Sequence, residues 1–254
     1  MGCAVFVIGP AGCGKTTMCQ VLRDYYAGQK RRTTLVNLDP AQMHEDLEFS
    51  IDIRDHIELA DIMEEADFGP NGGLMAGMEA ISDNIDVLGL PEEEDFLIFD
   101  CPGQIELYIH SDSIKKIVTE MQKHHTVGII YVLDATHTLD VHKFVSGALS
   151  AMIAMAKFEV PHLNVLTKCD LVPEEDVEEF LFGLDIENVC NKMEASSLKE
   201  KQFNTALATI ISDNGLLGFM PLDYSKEETI EAIAYNIDTC TQYFDTQEGG
   251  GAAE

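Results

Sequence analysis

Basic residues are scarce in this chain of 254 residues. Sixteen lysines and arginines stand against 45 aspartates and glutamates, a formal charge of −29. A surface that grips a nucleic-acid backbone would work against repulsion between the whole molecule and a polyanion, so no direct nucleic-acid partner is expected. The seven cysteines include no Cys-x-x-Cys pair; an odd count in a chain of this size fits free thiols in a reducing compartment, not a disulfide framework. The eight histidines, the adjacent His124 and His125 included, lack zinc-ligand spacing. No apolar run reaches the roughly 18 residues of a membrane-spanning helix, and the stretch from Val145 to Ala156 is interrupted by Ser and Gly. No membrane association is expected. The amino terminus has no basic leader and its apolar run stops at Gly9, unlike a signal peptide, and Phe6 stands where a myristoylation signal needs Ser or Thr. There is no internal repeat.

What the chain does have is a 46% apolar composition, enough for a sizeable core. Short buried-looking runs recur at Cys3–Ile8, Thr33–Leu38, Phe96–Asp100, Val127–Leu133, His162–Thr167 and Leu216–Met220. Helical stretches are predicted over 15–27, 55–66, 73–88, 111–123, 140–156, 174–182, 198–212 and 226–242. Buried strands each followed by a helix predict an α/β fold, a doubly wound and mostly parallel sheet with right-handed crossovers. Residues 1–245 read as one domain with helical insertions near 40–94 and 172–214. The first carries the turn Phe68-Gly69-Pro70-Asn71-Gly72-Gly73; the second opens Pro173-Glu174-Glu175-Asp176 and reads as a solvated face or an acidic docking surface. The tail 246–254, with three consecutive glycines, is expected to be disordered.

Three motifs carry chemistry. Gly9-Pro10-Ala11-Gly12-Cys13-Gly14-Lys15-Thr16 satisfies G-x-x-x-x-G-K-[ST] between a strand and a helix, the context of a phosphate-binding P-loop. Backbone N–H groups around Gly12, Cys13 and Gly14, with the helix amino terminus, would face phosphate oxygens. Lys15 would neutralise the β- and γ-phosphates, Thr16 would give a hydroxyl to Mg2+, and Thr17 lies beside it in the same turn. The strand ending at Asp100 continues Cys101-Pro102-Gly103-Gln104. There Asp100 could hold Mg2+ through water, the Gly103 N–H could approach a γ-phosphate, and Gln104 could orient an attacking water. Thr167-Lys168-Cys169-Asp170 matches [NT]-K-x-D. Asp170 can accept two hydrogen bonds from the N1–H and N2 amino groups of guanine, donors that adenine lacks, and the Lys168 stem would cover one face of the base. The substrate expected is GTP, with GDP and Mg2+ as the companion ligands.

With these strings in place the chain resembles the GPN-loop GTPases, named for the Gly-Pro-Asn found here at 69–71. Val36-Asn37-Leu38-Asp39-Pro40-Ala41, Asp52-Ile53-Arg54 and Phe99 to Leu107 extend the likeness over almost the whole chain. Ala60 to Glu64 and Phe144 to Gly147 are most similar to the third of three eukaryotic paralogues. The resemblance implies a dimeric GTPase, a homodimer or a heterodimer with a paralogue, in which Asn71 of one subunit contacts the transferring phosphate in the other. A neutral amide can donate there without adding charge, and Gly72 and Gly73 would allow close approach. It implies a water-positioning or magnesium-side role for Asp39. It also implies association with RNA polymerase II subunits during assembly and nuclear import, hence a cytoplasmic protein that shuttles to the nucleus. On the residues alone, Gly69 to Asn71 is a helix-linking turn and Asp39 a turn or cap residue.

The residues alone leave other readings open. They are a nucleotide-blind scaffold or assembly adaptor, and a P-loop kinase that consumes nucleotide only with an acceptor present. Cys13, Cys101 and Cys169 each lie inside a nucleotide motif, which suggests oxidation-sensitive binding, with the Cys13 thiol acidified by a helix amino terminus. Ala148 to Ala156, with Met152 and Met155, reads as a core helix sooner than a client groove.

Overall fold

A computed structural model describes residues 2–43, 47–91, 96–182, 193, 197–213 and 218–243. Among them seven strands form one parallel sheet: β1 Gly2–Ile8, β2 Thr33–Asn37, β3 Ile51–Asp52, β4 Phe96–Asp100, β5 His125–Asp134, β6 His162–Thr167 and β7 Phe219–Pro221. Their order across the sheet is 3-2-4-1-5-6-7. Alternate residues of each strand point to opposite faces, and the two faces hold separate apolar clusters. Ala4, Phe6 and Ile8 of β1 join Leu97 and Phe99 of β4 and Ile129, Tyr131 and Leu133 of β5 on one side. There Phe6 and Phe99 stack with ring centroids 4.2 Å apart. Cys3, Val5 and Val7 join Leu35, Ile98, Ile130 and Val132 on the other. Strands buried on both faces cannot show clean polar alternation, which is why the sequence presents continuous apolar runs.

The helices cover these faces. α1 Lys15–Gly28 and α9 Glu227–Cys240 close one side with Met18, Leu22, Tyr26, Ile233 and Ile237. α3 Pro70–Asp83, α5 Ser113–Met121 and α6 Val141–Phe158 close the other with Leu74, Met78, Ile114, Ile117, Ala148 and Ala151. Ala148, Ala151 and Ala154 of α6 are buried and Met152 and Met155 pack against them, as a core helix does. α2 Leu59–Ala66, α4 Ile105–Ile109, α7 Glu174–Phe182 and α8 Leu198–Asp213 also lie among the described residues. Among the described residues no helix is long and apolar enough to cross a membrane.

Several boundaries differ from expectation for local reasons. The two-residue β3 pairs through Ile51 and Asp52 with Val36 and Asn37, so the first insertion adds an edge strand as well as helices. The helix expected over 55–66 is a 3-10 turn, Ile53–Asp55, followed by α2. The helix expected over 73–88 begins at Pro70, whose fixed φ suits a first helical position; it ends at Asp83, before a separate 3-10 turn at Ile85–Leu88. α4 follows Gln104 where no helix was expected. The last strand is shifted to Phe219–Pro221; residues 216 and 217 and the tail 246–254 lie outside the described residues.

At the end of the sheet away from the motifs, Arg31 and Asp238 form a buried ion pair that ties β2 to α9. Tyr26 donates to Asp238 at 3.3 Å, and the Arg31 guanidinium lies 4.0 Å from the Phe96 ring centre. Asp238→Ala would leave that guanidinium buried without its counter-charge and is expected to lower unfolding free energy by about 3–5 kcal/mol in denaturant titration. An unchanged midpoint would show the pair to be dispensable. A pH effect follows from His162, whose two ring nitrogens are buried without hydrogen-bond partners. Burial pushes its pKa down to about 4. Between the ordinary value near 6.5 and 4 the unfolded chain takes up a proton that the folded chain refuses, so stability falls as pH falls through that window, by up to about 3 kcal/mol. His162→Phe is expected to flatten that part of the stability profile; an unaltered slope would count against it.

Candidate functional site

The motif residues gather at the carboxyl ends of the central strands, where doubly wound sheets bind ligands. β1 runs buried into the sheet and turns sharply at Gly9, whose φ is 141° and where a Cβ would lie 2.2 Å from the Val132 carbonyl oxygen. No other residue fits that turn. The loop continues through Gly12 and Cys13 to Gly14, a left-handed residue capping α1. Lys15, the first residue of α1, is 8% exposed and donates to the Pro10 carbonyl at 3.1 Å. Thr17 is exposed in the same turn.

On one side of this loop the Thr16 hydroxyl donates to Asp100 Oδ2 at 2.6 Å. Asp100 is 1% exposed and its Oδ1 is buried without a partner. Burial raises its pKa to about 6, against the opposing pull of the Thr16 hydroxyl and the Lys15 ammonium. An orphaned carboxylate oxygen beside a threonine hydroxyl is a hard-oxygen set that fits Mg2+. Asp39, also pushed up by burial, takes the Ala41 N–H at 2.9 Å; its own N–H donates to Asn37 Oδ1 at 2.9 Å. Gly103 packs so tightly on the cradle that a Cβ would stand 2.8 Å from the Ala11 Cα. Gln104 caps α4 and its carboxamide makes no hydrogen bond among the described residues.

On the other side, the buried Thr167 hydroxyl donates to the Cys13 carbonyl at 2.6 Å. Lys168, in a left-handed conformation with φ 60°, donates at 2.7 Å to the Gly12 carbonyl and pairs at 2.7 Å with Asp134. The turn after β6 is thus bolted to the loop after β1 through its side chains. Cys169 lies in the following 3-10 turn, its thiol donating to the Leu166 carbonyl at 3.2 Å. Asp170 is exposed in that turn. The Tyr224 hydroxyl is buried without a hydrogen-bond partner and would be 3.9 Å from a Cβ at Gly14.

One expectation is corrected. The Cys13 thiol is raised by burial, not acidified, because desolvation outweighs the charge of Lys15; burial raises the Cys101 and Cys169 thiols as well. Gly69-Pro70-Asn71 does link two helices, with Pro70 and Asn71 already in the first turn of α3, and Gly73 serves helix packing, since a Cβ there would lie 2.6 Å from Met63. Asn71 is exposed and makes no hydrogen bond with the cradle of its own chain among the described residues. Sequence reading also missed Asp134, Gln42, Arg54 and Tyr224 as parts of the site. Gln42 donates to Thr16 and Asp100, and Arg54 holds the Gln42 carbonyl at 3.0 Å. Asp52-Ile53-Arg54 was the one visible signal among these, and it carried no role.

Fold and loop geometry together define a P-loop nucleotide-binding protein. A family model described as a conserved hypothetical ATP binding protein matches residues 7–243. The chain is 42% identical to GPN-loop GTPase 3 of Yarrowia lipolytica over 96% of this chain and 93% of that one. It is 40% identical to GPN-loop GTPase 3 of Saccharomyces cerevisiae over 96% and 94%. The crystal structure of a GTPase in apo form from Pyrococcus abyssi superposes with a TM-score of 0.71 at 21% identity, over 92% of this chain and 96% of that one, a likeness of fold. The chain belongs to the GPN-loop GTPase family. The relatives it matches carry the number of the paralogue that the wording around Ala60 and Phe144 suggested.

Asp134→Asn removes the charge that holds the Lys168 ammonium on the cradle. It is expected to weaken GDP binding roughly tenfold in calorimetry without altering far-ultraviolet circular dichroism. Undiminished affinity would mean the clamp does no more than decorate the turn.

Proposed function

We propose that this chain binds GTP with Mg2+ and hydrolyses it slowly to GDP and phosphate. The observation that supports this reading is the Lys168 clamp, which ties the turn carrying Asp170 to the loop that leads into Lys15. Asp170 accepts the two guanine donors; with adenine its carboxylate would lose both partners, a mismatch costing orders of magnitude in affinity. GTP is therefore the nucleotide proposed, although the matching family model is described by ATP.

Thr16 and Asp100 would hold the magnesium ion, which when bound spreads the charge of the β- and γ-phosphates. Lys15 would neutralise the same phosphates. The Gly103 N–H, brought onto the loop by the absence of a side chain, donates to the γ-phosphate. Gln104, with its carboxamide uncommitted, orients the attacking water, and Asp39 accepts hydrogen bonds from water on the magnesium side. We further propose a dimer, with itself or a paralogue, in which Asn71 reaches the partner's nucleotide. The exposed Asn71 at the start of a helix is compatible with that role. Association with RNA polymerase II subunits during assembly and nuclear import, from a cytoplasmic base, is carried over from the family resemblance.

Asp170→Asn is expected to exchange GTP preference for xanthosine triphosphate, read by competition against a fluorescent nucleotide; retained GTP preference would remove Asp170 from the base site. Phosphate release over many turnovers, without any added acceptor, distinguishes the hydrolase from a kinase and from a scaffold that ignores nucleotide.

A further inference from the structure

Gln42 occupies a position that hydrolysis does not explain. Its carboxamide nitrogen lies 3.2 Å from Thr16 Oγ1 and 3.4 Å from Asp100 Oδ2, the two groups assigned to the magnesium site. Thr16 in turn spends its hydroxyl proton on the same Asp100 oxygen. A carboxamide NH2 has two donors and no lone pair to offer a metal. Pointed at an oxygen, it competes for the electron density that a cation needs.

We propose that Gln42 is a gate on the cation site: its side-chain amide holds Thr16 and Asp100 against each other, and it swings aside before those oxygens can face a divalent ion. This rests on the reading that Thr16 and Asp100 hold Mg2+. The gate is built, because the Gln42 main chain is pinned on both sides. Its N–H donates to the Asp39 carbonyl at 3.1 Å, and its carbonyl takes Arg54 Nη1 at 3.0 Å. Arg54 is gripped by both oxygens of Asp52, and Asp52 also accepts from Asn37 at 2.9 Å. Those contacts fix where the side chain starts. The partnerless Asp100 Oδ1 is the oxygen the gate leaves uncovered.

The test is Mn2+ binding to the full chain saturated with GDP, followed by electron paramagnetic resonance. Gln42→Ala is expected to bind Mn2+ about three- to tenfold more tightly than wild type, the equivalent of one hydrogen bond no longer displaced. Gln42→Glu, which turns the donor into an acceptor, is expected to tighten binding at least as much. Equal or weaker binding by Gln42→Ala overturns the gate while leaving the site standing. GDP binding with no bound Mn2+ in any form overturns the magnesium reading and the gate with it. A measurement on wild type alone guards against a misfolded variant: the Gln42 side-chain amide resonances, in a 15N-labelled chain, are expected to shift when Mg2+ is added to the GDP complex. Resonances that stay in place refute the proposal.

Discussion

One ammonium group holds the two halves of the ligand site together. Lys168 reaches from the loop after β6 to the Gly12 carbonyl in the cradle after β1, and Asp134, at the end of the intervening strand β5, holds it in place. The neighbouring Thr167 makes a second bond to the cradle through the Cys13 carbonyl. These contacts accompany a left-handed backbone at Lys168, a conformation that costs a side-chain-bearing residue of order 1–3 kcal/mol and persists where surroundings over-determine it. The charge-assisted bonds around Lys168 and the packed strands beneath it do so. The distance between the turn after β6 and the loop after β1 then becomes a property of the sheet.

The sheet supplies rigidity because both of its faces are buried. Neighbouring residues of β1 enter opposite apolar clusters, so a small shift of the strand would disturb both. The loop that follows inherits that precision, and Gly9 passes the Val132 carbonyl with no room for a side chain. By contrast α2 buries none of its residues fully and packs on α3 through Gly73 and Gly77, leaving the Gly69–Asn71 corner exposed at the rim. A corner of that kind suits contact with another molecule better than chemistry within its own chain.

How much of this was legible in the sequence depended on distance along the chain. Parallel strands could be read because double burial produces unbroken apolar runs such as Phe96 to Phe99, and the cradle because its glycines and Lys15 are contiguous. β3 escaped because two residues, Ile51 and Asp52, carry no pattern; its place is set by pairing with β2. α4 escaped because five residues following Gln104 are too few for helical periodicity. Asp134 and Gln42 escaped for a different reason: their partners lie 34, 26 and 58 positions away, and no local spacing announces them. The Cys13 thiol was misread because the helix terminus is visible in sequence whereas burial is not.

The function proposed for this fold asks one site to read guanine and grip its phosphates at once. Calorimetric titration of the purified chain with GTP and, separately, with ATP, both in Mg2+, tests it most directly. Saturable heat is expected with GTP, and at least a hundredfold weaker binding with ATP. Equal affinity for the two, or no heat with either, would contradict it.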